Sequence, residues 1–125
     1  MEWKGVLPAI TTSFDEKLAI DHTFLTAHAR RLVAAGCCVV VALGSLGEAA
    51  TLNREEKLAV LRTLVAAVGG QVPVVAGISA LSTADAVELA QQAAAVGCQG
   101  LMVLPPYVYK ADWREMKAHV AGILN

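Results

Sequence analysis

The stretch Val39-Val40-Val41-Ala42-Leu43-Gly44-Ser45-Leu46-Gly47-Glu48 decides how the chain is read. Its first half is a run of mostly branched apolar residues, the pattern of a strand buried on both faces. Its second half is a turn carrying two glycines with a hydroxyl between them, then a carboxylate. Glycine has no Cβ, so such a turn lets backbone N–H groups approach a small anion. Ser45 adds a hydroxyl that can donate or accept a proton. Any chemistry is expected to start at this turn.

On the N-terminal side, Gly5 to Thr12 reads as a first strand, with Pro8 placing it at an edge or a bulge. Asp21 is a good N-cap. Phe24, Leu25, Ala29, Leu32 and Val33 then recur at helical spacing until Gly36 closes the helix. On the C-terminal side, Asn53 caps a second helix and Glu56 completes a variant of the capping box. Leu58, Leu61, Leu64, Val65 and Val68 form its apolar face, and Gly69-Gly70 stops it. Val72 to Ile78 is a third strand. Ser82 or Thr83 caps a third helix that runs through Val96 and ends at Gly97. Gly100 to Leu104 is a fourth strand, ended by Pro105-Pro106. Asp112 caps a last helix, with Glu115 at the third position and Val120, Ile123 and Leu124 on one face.

The pattern is β-α repeated, with Ala34-Ala35-Gly36-Cys37 echoed by Ala95-Val96-Gly97-Cys98. Short helix-to-strand loops of this kind belong to a parallel sheet with right-handed crossovers. Two architectures remain, an open doubly wound sheet and a closed (β/α)₈ barrel. A doubly wound nucleotide-binding domain wants a glycine-rich turn after its first strand. Here Thr11-Thr12-Ser13-Phe14 follows instead, without a glycine. The barrel is the better fit. A whole barrel takes about 250 residues, so residues 1–125 read as one α/β unit, the N-terminal (βα)4 half of a TIM barrel, with a fifth strand due where Asn125 stands.

Composition narrows the function classes. The chain is 56% hydrophobic, with ten basic and eleven acidic residues and a formal charge of -1. A mean hydropathy of +0.55 rules out a disordered segment. Without a basic run, neither nucleic acid nor an anionic membrane is expected as a partner. Met1-Glu2-Trp3-Lys4 followed by Pro8 does not read as a signal peptide, and Leu32 to Leu43 is too short to span a bilayer. A cytoplasmic protein is expected. Cys37, Cys38 and Cys98 sit in apolar context without ligand spacing, so reduced structural thiols are expected rather than a disulfide or a metal site. His22, His28 and His119 all fall on helices with no carboxylate or cysteine partner. Trp3 and Trp113 read as packing or interface residues, and Glu48 as structural.

Taken together, Gly5, Pro8-Ala9, Thr12-Ser13-Phe14, Gly44-Ser45-Leu46-Gly47-Glu48, Val74-Val75-Ala76-Gly77 and Pro105-Pro106-Tyr107 resemble the dihydrodipicolinate synthase / N-acetylneuraminate lyase family, in order and across the whole chain. The resemblance implies a class I aldolase or dehydratase acting on pyruvate or a related 2-keto acid, with an imine-forming lysine on a sixth strand and no cofactor. It implies that Gly44, Ser45, Leu46 and Gly47 hold the keto acid's carboxylate. It also implies that Ser45 relays protons and that Tyr107 reaches a neighbouring subunit's site in a homo-oligomer. Leu46 stands for the family's second threonine, Ser13 for a proline and Pro106 for the first of two tyrosines, which makes Tyr109 a rival of Tyr107. Leu81 stands where lysine-biosynthetic members tend to have asparagine. These departures point to a divergent catabolic member.

By the same resemblance the catalytic lysine lies beyond Asn125. Lys4, Lys17, Lys57, Lys110 and Lys117 read as solvated surface charges. Residues 1–125 are therefore expected to form no imine alone. A rival expectation is a non-catalytic half-barrel that pairs with itself or with another half, because its edge strands and inner face lack partners.

Overall fold

The computed structural model describes residues 3–125. Three parallel strands lie in chain order, β1 (Val40–Ala42), β2 (Val74–Ile78) and β3 (Gly100–Val103), with Val41 opposite Val75 and Gly77 opposite Met102. The helices are α1 (His22–Ala34), α2 (Arg54–Val68), α3 (Thr83–Val96) and α4 (Trp113–Leu124). Each helix packs on the next in sequence, and α2 and α3 also pack on β2.

Among the described residues, α1 to α4 share one face of the sheet. Val40, Ala42, Val74, Ala76 and Ile78 point into the same core as Leu25 and Ala29 of α1, Leu61 and Leu64 of α2, Leu89 of α3 and Ile123 of α4. Burying one leucine side chain fully stabilises by about 1.5–3 kcal/mol, and Leu25, Leu61 and Leu64 have no exposed surface. The opposite face carries a small cluster of Val39, Val41 and Val75 with Leu7 and Met102 at its margin. Helices on one side and strands in sequential order are the layout of a barrel wall; a doubly wound sheet would carry helices on both sides.

The helix ends follow local chemistry. Asp21, Asn53, Ser82 and Asp112 each accept from the backbone N–H three residues on, and the boxes Asn53/Glu56 and Asp112/Glu115 are closed in both directions. The repeated Gly-Cys pairs also form equivalent structures. Gly36 and Gly97 take left-handed φ of 96° and 108°. The following Cys37 and Cys98 N–H groups return to Leu32 and Ala93, the closure that glycine permits at a helix C-terminus.

Two expectations need correction. Gly5 to Thr12 is not a strand but an extended segment with a single parallel bridge, Ala9 to Val41. Ile10 N–H donates to Val41 O and Val41 N–H to Pro8 O. In that register the next bond would come from the N–H of residue 8, which proline lacks. The pairing slips, and Val6 O accepts from Cys38 instead. The buried face of α4 also differs: His119 and Ile123 point inward, whereas Leu124 is 67% exposed. His119 lies against α3, with Nδ1 2.9 Å from Thr83 Oγ1 and Nε2 buried without a partner among the described residues. Trp3 and Trp113 are exposed. No described helix is long and apolar enough to cross a membrane.

Candidate active site

The turn after β1 lies at the C-terminal end of the parallel strands, the end that carries the chemistry in barrels. Ser45–Gly47 forms one tight helical turn in which Gly47 N–H donates to Gly44 O (3.0 Å) and Glu48 N–H to Ser45 O (3.1 Å). The N–H groups of Ser45 and Leu46 precede the first of these bonds, in the place a helix leaves its donors without internal acceptors. Ser45 and Leu46 are exposed while Gly44 and Gly47 are buried.

Neighbouring elements hold the turn in place. Leu43 and Glu48, which bracket it, both adopt left-handed backbone, at φ 59° and 54°. For residues other than glycine this region is sparsely populated and needs support. On one side, Gly77 of β2 lies so close to the Leu43 and Ala42 carbonyls that a Cβ there would overlap them. On the other side, Thr12 Oγ1 donates to Gly47 O at 2.7 Å, and a Cβ on Gly47 would lie 3.2 Å from Ile10 O. Met102 of β3 reaches the Gly44 position, its Cε 3.5 Å from where a Cβ would stand. The Glu48 carbonyl accepts from Thr51 N–H and Thr51 Oγ1.

Tyr107 is elsewhere. It follows Pro105-Pro106 on an exposed segment and lines a cleft of about 360 Å³ with Ala50, Arg54, Lys57, Leu81 and Asp85. None of residues 44–47 lines that cleft, and no hydrogen bond joins Tyr107 to Ser45 among the described residues. Tyr109 is 80% exposed. Lys57 differs from the expectation of a fully solvated charge: it is half-buried in the cleft wall beside Arg54, which pairs with Glu88 at 2.7 Å. Among the described residues no group of three or more His, Cys, Asp or Glu could hold a metal ion. The three cysteines are unpaired, and burial pushes the Cys98 thiol up to about 11.

The sequence matches the dihydrodipicolinate synthetase family over residues 2–125. The chain belongs to that family. As a member of the dihydrodipicolinate synthetase family, it is similar to the 4-hydroxy-tetrahydrodipicolinate synthase of Natronomonas pharaonis, 43% identical over 121 residues that cover 97% of this chain and 41% of the relative. Its fold matches the crystal structure of a dihydrodipicolinate synthase from Bacillus anthracis, with a TM-score of 0.96 and 31% identity, over 99% of this chain and 42% of that one. It also matches YagE of Escherichia coli K12, a prophage protein of the dihydrodipicolinic acid synthase family crystallised with pyruvate, with a TM-score of 0.92, 28% identity and coverage of 97% and 41%. The chain thus spans about two fifths of the length of the relatives it matches. Its strands and helices form the N-terminal half of their TIM barrel.

The turn is legible in the sequence, but its neighbours Thr12 and Gly77 stand there only as parts of motifs, and Lys57, in the separate Tyr107 cleft, only as a helix-face charge. Their significance comes from contacts across 30 or more residues, such as Thr12 with Gly47, which local spacing does not encode.

Proposed function

We propose that residues 1–125 are the N-terminal half of a Schiff-base-forming lyase, an aldolase or dehydratase acting on pyruvate or a related 2-keto acid. The observation that carries this reading is the 44–47 turn, with two exposed residues whose N–H groups lie ahead of its first internal bond. YagE's pyruvate complex supports a keto acid as the ligand class.

In this reading the Ser45 and Leu46 N–H groups hold the substrate carboxylate, Gly44 keeps the approach free of a side chain, and Gly47 lets the turn pack against Ile10 O and Thr12. Leu46 makes the adjoining wall apolar, which favours a substrate other than that of the lysine-pathway enzyme. The Ser45 hydroxyl relays a proton to or from a tyrosine. Tyr107, on its exposed segment, takes that part in the site of a second copy, so the working form is a homo-oligomer. The keto carbon condenses with a lysine amine, losing water, and the imine accepts the electron pair released when the adjacent bond breaks. That lysine comes from the other half of the barrel, and no metal or nucleotide is needed. The reaction belongs to the cytoplasm, away from membrane and nucleic acid.

One observation favours a second reading. Every residue of β3 is half-exposed, whereas β1 and β2 are buried throughout. A non-catalytic half-barrel would use this open strand to pair with itself or with another half.

The carboxylate reading is tested by titrating the ¹⁵N-labelled chain with pyruvate. The Ser45 and Leu46 amides should shift saturably while Val60 and Ala90 stay fixed. Uniform or absent shifts would count against it.

A further inference from the structure

We propose that Thr12 is a positioning residue for the 44–47 turn, its buried hydroxyl setting the direction of the Leu46 N–H through two peptide planes in series. This rests on the reading of the turn as the carboxylate holder.

Thr12 is only 6% exposed, and with His119 it is one of two buried polar side chains among the described residues. Its Oγ1–H donates to Gly47 O at 2.7 Å, shorter than either bond inside the turn. Because a peptide group is planar, Gly47 O and Glu48 N–H belong to one rigid plane. Glu48 N–H in turn donates to Ser45 O at 3.1 Å. Ser45 O and Leu46 N–H share the next plane. The chain of bonds therefore runs from the Thr12 hydroxyl through two amides to the N–H that would face the substrate.

Each bond in such a chain polarises the next, so a donor at one end strengthens the donor at the other. The support is also geometric. Glu48 sits at φ 54° with no glycine to ease it, a conformation that persists when surrounding contacts over-determine it. The close approach of Ile10 O to Gly47 brings the same segment against the turn at a second point. A valine at position 12 keeps the shape and removes the donor, whereas a serine keeps the donor.

The test compares wild type, Thr12→Val and Thr12→Ser by amide hydrogen exchange and by pyruvate titration. Losing one buried hydrogen bond should speed exchange of the Glu48 amide about tenfold and weaken pyruvate binding by about the same factor. Thr12→Ser should restore both, and the Val60 and Leu61 amides should not respond. Equal binding by wild type and Thr12→Val would overturn the role of Thr12 alone; equal losses in Thr12→Val and Thr12→Ser would assign the effect to packing and overturn it too. A wild-type chain that leaves pyruvate unbound would overturn the carboxylate reading and the substrate part of this proposal. Should Thr12→Val not fold, the wild type still decides: a slowly exchanging Thr12 hydroxyl proton with scalar coupling to the Gly47 carbonyl carbon supports the hold, and a freely exchanging one overturns it.

Discussion

Gly77 faces the carbonyl of Leu43 with no room for a Cβ between them. The contact joins β2 to the one residue whose left-handed backbone turns the chain from β1 into the 44–47 loop. Both partners are backbone atoms, so neither can swing aside. Gly77→Ala should therefore cost about 1–3 kcal/mol or more, read from urea unfolding of the chain, and should shift the Gly44–Gly47 amides. A variant as stable as wild type would mean that β1 and β2 can separate at this end without penalty.

The α2 cap offers a milder perturbation. Asn53 Oδ1 accepts from Glu56 N–H at 3.0 Å, and Glu56 Oε2 accepts from Asn53 N–H at 2.8 Å. Asn53→Ala should lower stability by about 1 kcal/mol, and Asn53→Gly by only a few tenths. Thermal unfolding of the two variants side by side checks the order.

The thiols should separate by reactivity. Burial raises the Cys98 pKa from 9.0 to about 11, while Cys38 is exposed. Thiolate is the reactive form, so at pH 8 a disulfide reagent should modify Cys38 well before Cys98. The sign for stability follows from the folded state holding this proton more tightly than the unfolded one. The contribution of Cys98 is complete below pH 9 and is lost as pH rises through about 11. Cys98→Ala should flatten the alkaline fall in stability over that window, as followed by unfolding at stepped pH.

Ser45 should matter to chemistry and little to folding. It is exposed at the head of the turn, so Ser45→Ala should change stability by no more than about 0.5 kcal/mol. In an assembled barrel it should lower kcat by roughly 10²–10⁴-fold if its hydroxyl carries the proton. Steady-state kinetics against 2-keto acids, set beside unfolding of the same variant, checks both halves of the statement.

What could be read from the sequence was what neighbours in the chain determine. Asp21, Asn53, Ser82 and Asp112 bind backbone within three residues, and Gly36 and Gly97 close their helices locally. Those features, with the apolar strands, were enough for the half-barrel. The broken first strand is not legible locally, because the missing N–H of Pro8 matters only in the register chosen by Val41. The inward face of α4 is not legible either, because His119 gains a partner, Thr83, 36 residues away. Tyr107 was legible as a motif residue, but its direction, into a cleft beside Lys57 and Arg54, depends on three separate elements.

The central claim is that residues 1–125 supply the carboxylate-holding half of a site whose lysine belongs to the other half of the barrel. Borohydride trapping tests it most directly. The chain would be incubated with pyruvate and sodium borohydride, alone and co-purified with the C-terminal half of the Natronomonas pharaonis relative, and each polypeptide weighed intact. The account predicts no mass gain on this chain in either case and one reduced pyruvate on the partner half when both are present. An adduct on this chain, at any of Lys4, Lys17, Lys57, Lys110 or Lys117, would contradict it.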